Sequence, residues 1–503
     1  MNQKKAGVLL SYGQIAITML SNLLYTPIML RMLGQSEYGI YSLSSSVIGY
    51  FALLYTGMSS TYLRYYSSYR AKGDEDSIAR LNGLFLVLFS SMGLLALVLG
   101  MAMSFNLKVV LGSGLTEAEF SLARILFVIM SVNMALLMPK TVFAALVISQ
   151  ERFVFIKSLG VVTAICSPVL NLLLLYQGYG SVGMSIVVLA VTTADLLINI
   201  WYCHFRLRCR FDFKRLPFYL LPGMFSFSVF LVLQGIMDQL NWHLGKILLS
   251  YVTDSATIAI YSVGLQIDFL FIGMAGAFYG VVVPQIYRLV QERKLEELTQ
   301  LWIKVGRYQF YVLFFIWSAF ITFGQDFIRL WAGQGYDDAY WVAVILMTPI
   351  VIHLCQSMGM EVIRAYNKHA QWVLVHLLFA GLGFVLCIPL ANLYGVIGMT
   401  IGTSINVFFV TNCFDNWYYY KAGKLDVCRF FRNFSGFLPA VLLVLLGVNV
   451  LSYWLPINGW GDFALTMACF SILYSAIMYR CGMNCDERMY IKNIILKFGL
   501  RFR

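Results

Sequence analysis

Charge is scarce in this chain: Asp, Glu, Lys and Arg make up 12% of its 503 residues, against 60% hydrophobic residues. That ratio excludes a soluble globule, which needs far more polar surface to cover itself. Proline is sparse too, and no long linker marks off a separate soluble domain. The ten cysteines form no regular framework, so free thiols are expected rather than a disulfide scaffold. No Walker-type loop occurs, so ATP is not expected to drive the protein directly. Cys481 with Cys485, and Cys203 with His204 and Cys209, are irregularly spaced beside basic loops that repel cations. No metal and no other resident cofactor is expected from them. Gly178-Tyr179-Gly180-Ser181-Val182-Gly183 fits the letters of a dinucleotide loop but follows no strand. It reads as a tight turn between two helices.

Apolar runs long enough to span a bilayer, by contrast, recur from end to end. About 20 such residues cross the hydrocarbon core. Peptide groups there must bond within their own segment, and the absence of strict alternation excludes a barrel. The fold class is therefore all-α, a polytopic membrane protein of about 14 transmembrane helices. These are placed near 7–32, 39–66, 81–104, 121–148, 156–177, 182–204 and 219–249. The others fall near 257–283, 305–331, 340–365, 371–393, 397–420, 434–454 and 463–480. The first run, behind Lys4 and Lys5, reads as a retained span rather than a cleaved signal.

Charge fixes the orientation. Of 36 Lys and Arg, only Arg31, Lys108, Arg124, Lys140, Lys246 and Arg329 lie outside the termini and alternate connections. The positive-inside rule then puts both termini in the cytoplasm and requires an even number of spans. The formal charge of +12 is thus explained by inner-side loops, and nucleic acid is not an expected partner. Trp201-Tyr202, Trp331, Tyr340-Trp341 and Trp417 through Tyr420 stand where spans should end, as an interfacial aromatic belt does. From Cys485, Ile491, Ile494, Ile495 and Phe498 alternate with Arg488, Lys492 and Lys497, the pattern of a basic amphipathic helix on the inner leaflet.

The two halves of the chain repeat. Gly39-Ile40-Tyr41-Ser42 answers Ala259-Ile260-Tyr261-Ser262, and Tyr69-Arg70 answers Tyr287-Arg288. Tyr179-Gly180-Ser181-Val182-Gly183-Met184 answers Tyr394-Gly395-Val396-Ile397-Gly398-Met399. Six spans per unit preserve orientation, so the expected architecture is two six-helix lobes related by pseudo-twofold symmetry along the membrane normal. The lobes are expected at 1–210 and 211–425, followed by two helices at 426–480 and a basic tail at 481–503. Gln14, Thr18 and Ser21 share one face of the first span, and Gln234, Asp238 and Asn241 one face of the seventh. Matched polar stripes on equivalent helices are expected to line a hydrated cavity; helix-packing contacts are the plainer reading.

Leu30-Arg31-Met32-Leu33-Gly34 followed by Glu37-Tyr38-Gly39-Ile40-Tyr41, with the two Tyr-Gly-x-x-Gly turns, resembles the multidrug/oligosaccharidyl-lipid/polysaccharide exporter superfamily. Within it the chain is similar to the bacterial polysaccharide flippases, over nearly its whole length. That resemblance implies an alternating-access flippase, not an enzyme, in the bacterial cytoplasmic membrane. It would move undecaprenyl-diphosphate-linked oligosaccharide outward for cell-surface polysaccharide export. It also implies that the last two helices help hold the lipid tail. The implied partners are the lipid-linked sugar, membrane lipids and other membrane proteins of polysaccharide assembly.

Charges inside spans are the candidate site. Each costs on the order of 2.5–3.5 kcal/mol at a helix centre, so each needs a partner, water or a task. Lys140, Lys246, Arg31 and Arg64 are candidates for holding the diphosphate, with snorkelling as the alternative for the two arginines. Asp195, Asp238, Asp268 and Glu361 could pair internally with the lysines or bind a coupling proton or sodium ion. Two other functions compete. A cation-coupled multidrug exporter would usually carry an acid in the first span, where this chain has Gln14, Thr18 and Ser21. A membrane polysaccharide polymerase or glycosyltransferase should carry a sizeable outer loop, and the longest here is 105–120.

The charge pattern has a direct test. Single cysteines placed beside Arg70, Arg210, Arg293 and Lys424 in a thiol-free background should resist an impermeant reagent in intact cells. Those beside Gly112, Tyr179, Gly335 and Gly459 should react, and labelling near Arg210 would overturn the topology.

Overall fold

The computed structural model describes residues 3–112, 114–279, 282–454, 456–489 and 492, with no strand among them. In chain order the first helices are α1 (Gln3–Gly49), α2 (Met58–Lys72), α3 (Glu75–Phe105), α4 (Leu107–Leu111), α5 (Glu117–Ser149), α6 (Phe153–Tyr176) and α7 (Gly180–Trp201). They continue as α8 (Leu221–Val252), α9 (Ser255–Tyr279), α10 (Val283–Gln291), α11 (Leu295–Trp331), α12 (Asp338–Cys355) and α13 (Met358–Ala365). The last are α14 (His369–Phe408), α15 (Asp415–Lys421), α16 (Val427–Ser435), α17 (Leu438–Trp454) and α18 (Trp460–Ile477).

Among the described residues ten helices are long and apolar enough to cross a bilayer, or up to twelve if each of two bent pairs is one span. Two of the ten runs, Leu10–Leu54 and His369–Lys421, are 45 and 53 residues long. At 1.5 Å per residue both far exceed a 30 Å hydrocarbon core. Each contains one residue out of helix, Gly34 at φ 75° and Gly395 at φ 57°. Glycine enters that left-handed region without the Cβ clash that other residues meet. Dividing both runs there would add one span each, the fourteen of the sequence reading; the helices themselves establish ten to twelve.

Other boundaries differ from expectation for local reasons. The expected span 39–66 is interrupted: α1 ends at Gly49, a 3₁₀ turn covers Tyr50–Leu54, and α2 begins after Gly57. The apolar pattern runs through this break, which is why the sequence hides it. The expected span 340–365 divides into α12 and α13. The connection 105–120 contains the short α4 and a Thr116–Glu119 capping box that starts α5. All ten cysteines are free. Of the expected amphipathic tail, Ile491, Ile494, Ile495, Lys497 and Phe498 lie outside the described residues.

Contacts group the chain into two compact units, 1–263 with 373–402, and 264–372 with 403–503. This grouping follows packing rather than the sequence repeat, since α8 lies against α1 and α2. In the first unit α3 packs on α5 through small residues. A Cβ at Gly93 would stand 2.7 Å from the Ala135 carbonyl oxygen, and one at Gly100 would overlap the Ser131 side chain. Glu37, three residues past the Gly34 break, accepts the N–H and hydroxyl of Ser181 at the start of α7. One carboxylate thus satisfies a free helix terminus and fixes the first Tyr-Gly-x-x-Gly turn. The second unit is built around α11, whose Trp302, Phe310 and Phe314 meet Tyr419, Phe430, Phe437 and Tyr474.

Large apolar side chains also line the outside: Leu94, Leu95, Val98 and Leu99 on α3, Leu382, Val385 and Leu386 on α14, and Leu438, Leu442 and Leu446 on α17. Continuous apolar rows of this kind suit hydrocarbon rather than water. The α3–α5 contact yields a stability test. Gly93→Val should lower detergent stability by about 1–3 kcal/mol, because its side chain meets backbone rather than a movable group. Gly381→Val, where a Cβ meets nothing within 4 Å, serves as the control in the same melting experiment.

Candidate functional site

The expected cavity stripe has mixed surroundings. Gln14 is half-buried with its amide against Gly160 of α6, a helix–helix contact. Thr18 is exposed and Ser21 half-buried. On α8, Asp238 is exposed, while Gln234 and Asn241 are half-buried. A second polar face of α8, which sequence inspection missed, carries Gln239, His243 and Lys246. It lies along the second half of α1: Gln239 Nε2 donates to the Gly49 carbonyl at 3.3 Å, and His243 Nδ1 stands 3.4 Å from Ser46 Oγ. Spacings of four and three were the available signal, but Trp242 and Leu244 between them favour a packing face.

Lys246 completes that face. It is 9% exposed, and its ammonium donates to Ser42 Oγ at 3.0 Å. Ser42 Oγ in turn donates to Ser262 Oγ at 2.9 Å. Ser42 and Ser262 are the matching last residues of the repeated Gly/Ala-Ile-Tyr-Ser segment, so the two copies of the repeat meet here. Gly39, the first residue of one copy, packs directly against the Ser255 carbonyl and the Ala259 N–H. Only glycine permits that approach.

The structure brings two other candidates together. Lys140 on α5 forms an ion pair with Asp195 on α7, and Asn199 Nδ2 donates to Asp195 Oδ1 at 2.7 Å. Of the alternatives left open for Lys140, internal pairing is what this conformation contains. Glu361 is buried and paired with Arg364 one turn along α13, at 2.7 Å. Arg31 and Arg64 are exposed on α1 and α2, away from Lys246 along the chain. Asp268 is 0% exposed, and neither carboxyl oxygen has a hydrogen-bond partner among the described residues.

A charged cluster that the sequence did not reveal joins α11 to the C-terminal segment. Arg307 is only 5% exposed. Its Nε and Nη2 donate to the two oxygens of Glu487 at 2.8 Å each, and Nη2 also donates to the Gly482 carbonyl at 3.0 Å. Tyr311 and the Asn484 N–H donate to the same carboxylate, and the guanidinium lies 4.4 Å from the Phe437 ring centroid. A separation of 180 residues leaves no periodic trace in sequence. Gln300, Lys304, Tyr308, Arg429 and Asp486 border a cavity of about 600 Å³ beside it.

Burial pushes the Glu487 carboxyl up, but the hydrogen bonds from Arg307, Asn484 and Tyr311 outweigh it and hold the group below the usual carboxylate range. Its contribution to stability is therefore full above the unfolded pKa, about 4.3, and is lost as pH falls through the lower folded value. Glu487→Ala should cost about 3–5 kcal/mol, since it orphans a buried guanidinium. Adding Arg307→Met should recover part of the lost melting temperature, and the loss in Glu487→Ala should shrink in acid.

Comparison with known proteins agrees with this architecture. The chain is 19% identical over 471 residues to the uncharacterized membrane protein EpsK of Bacillus subtilis (strain 168), covering 93% of each. It is 20% identical over 392 residues to a putative O-antigen transporter of Shigella flexneri, covering 75% of this chain and 88% of that one. Among solved structures it is similar to the lipid II flippase MurJ in an inward closed conformation. That match has a TM-score of 0.71 at 14% identity, over 94% of this chain and 98% of the other. A multidrug resistance MATE family transporter of the MOP superfamily, inward-facing, matches with a TM-score of 0.63 at 16% identity, over 83% and 98%. The fold is thus that of MurJ and MATE transporters. The polysaccharide biosynthesis protein family matches residues 4–290, more than half of the sequence, and the chain belongs to that family.

Proposed function

We propose that this protein is an alternating-access flippase of the bacterial cytoplasmic membrane that turns undecaprenyl-diphosphate-linked oligosaccharide outward for polysaccharide export. Family membership and the MurJ-like fold support the flippase reading, and the putative O-antigen transporter supports a lipid-linked saccharide as cargo. The observation that carries the chemistry is Lys246. It is a buried ammonium whose hydrogen bond runs to a hydroxyl, at the place where the two repeats touch. A hydroxyl relieves desolvation without cancelling charge, so the site keeps a positive potential for an anion. Lys140 differs, because Asp195 already balances it. Lys246 is therefore the primary diphosphate residue of this proposal, with Lys140, Arg31 and Arg64 secondary. Energy comes from a coupling proton or sodium ion rather than ATP, and both termini face the cytoplasm. No covalent chemistry is assigned to the chain.

The test is flipping of a fluorescent lipid-diphosphate saccharide in proteoliposomes, read beside detergent melting temperature. Lys246→Ala should weaken transport about ten- to a hundredfold, the worth of a charge-assisted hydrogen bond. Lys246→Arg should retain more activity than Lys246→Gln. Unchanged flipping in Lys246→Ala would remove the residue from the site, and a collapse of melting temperature alone would make it structural.

A further inference from the structure

The second unit contains a buried acid–imidazole pair that the flippase reading does not use. Asp415 opens α15 and is 0% exposed. Trp372 Nε1, at the start of α14, donates to its Oδ1 at 2.7 Å, and its Oδ2 faces His353 Nδ1 of α12 at 3.4 Å. The imidazole side chain is 24% exposed, whereas the carboxylate is fully buried. Immediately before Asp415 the backbone makes a π-turn over Phe409–Phe414. Such turns are frequent at functional sites because the extra residue redirects the side chains around it. Here it carries Asn412 Nδ2 to within 2.9 Å of the Pro349 carbonyl, one turn before His353 on α12. Proline at 349 removes a helix hydrogen bond, so α12 is bendable at the place where the π-turn grips it.

The first unit contains the same kind of pair in corresponding helices. Lys140 and Asp195 join α5 and α7, the fourth and sixth spans of the first repeat. His353 and Asp415 join the tenth and twelfth, the fourth and sixth of the second. The sixth span of the first repeat also contains a π-turn, Tyr202–Arg206, but it follows Asp195 whereas Phe409–Phe414 precedes Asp415, and Lys140 adjoins Pro139 whereas His353 lies one turn after Pro349. Corresponding spans thus each carry an acid–cation pair, at different positions and with a different cation. Lysine stays protonated through the physiological range, whereas histidine gains and loses its charge within it.

We propose that His353 and Asp415 form a proton-binding site in the second unit, the titratable counterpart of the fixed Lys140–Asp195 pair. A proton taken from water makes imidazolium opposite carboxylate and draws α12 and α15 together. Its release leaves a buried carboxylate held by Trp372 and loosens them. Trp372 is a positioning residue, since it orients the carboxylate and holds no proton to exchange. Other ionisable groups lie on the surrounding helices, among them His376, buried one turn beyond Trp372 on α14. Tyr419, one turn along α15, is buried, and Cys355 is buried on α12. His369 meets the Trp372 ring edge-on at 5.7 Å, Lys368 donates to the Ala422 carbonyl, and Glu361 is neutralised by Arg364. The part played in coupling rests on the flippase reading; proton binding itself does not.

Two measurements on the full-length protein in nanodiscs or proteoliposomes test this. In ¹⁵N-histidine NMR, with His353 assigned by loss of its signal in His353→Gln, the imidazole should titrate between about pH 5 and about pH 9. In Asp415→Asn its midpoint should fall by about one pH unit, because an opposed carboxylate favours imidazolium. No titration, or an unmoved midpoint, would overturn the site; a merely structural histidine would show the latter. In the flipping assay, His353→Lys should abolish the change in rate that the wild type shows between about pH 6 and about pH 8. A pH profile identical to wild type would overturn the coupling role. A shifted NMR midpoint in a protein that flips no lipid-linked saccharide would leave the proton site standing and refute the flippase reading instead.

Discussion

A peptide group in hydrocarbon has no water to bond with, so wherever a membrane helix breaks, another part of the protein must meet the exposed backbone groups. This chain breaks its helices at a few glycines and then compensates nearby. The Gly34 break frees the chain to turn, and three residues later Glu37 accepts the N–H and hydroxyl of Ser181 at the start of α7. The first Tyr-Gly-x-x-Gly turn therefore has a carboxylate acceptor beside it. The close approach of Gly39 to the Ser255 carbonyl depends on the same geometry, and it is this approach that lets Ser42 meet Ser262. Backbone satisfaction thus places the polar residues of the first unit.

The same constraint sorts the buried charges. Lys140 with Asp195, Arg307 with Glu487, and Glu361 with Arg364 are each balanced by a neighbour of opposite sign. Balanced pairs tie segments together and leave little potential for a ligand. Arg307 shows this best, since it fastens α11 to Gly482 and Glu487 beyond α18. Lys246 and His353 are of another kind. One ends on a hydroxyl and the other is charged only when protonated, so both leave electrostatic work undone in at least one state. The functional proposals rest on that difference.

Helical repetition also explains how one scaffold carries different chemistry in its halves. An acid–cation pair joins α5 to α7 and α12 to α15, with a proline in α5 and in α12 and a π-turn after α7 and before α15. What changes is the side chain that opposes the acid.

Much of this was legible in the sequence. Apolar runs of bilayer length, the alternation of Lys and Arg between connections, and the Tyr-Gly-x-x-Gly repeats each depend on local pattern, which composition and periodicity record directly. The polar stripe of α8 was read on one face, through Gln234, Asp238 and Asn241, while the face that meets α1 carries Gln239, His243 and Lys246. Periodicity shows that a helix has polar faces but not which neighbour each one meets. Tertiary structure alone decided that Lys140 answers Asp195, that Arg307 answers Glu487 across 180 residues, and that Asp415 answers His353 and Trp372. Those pairings are set by which helices the packing of small residues and aromatic rings brings side by side, and that information is distributed over the whole chain rather than carried by any one segment.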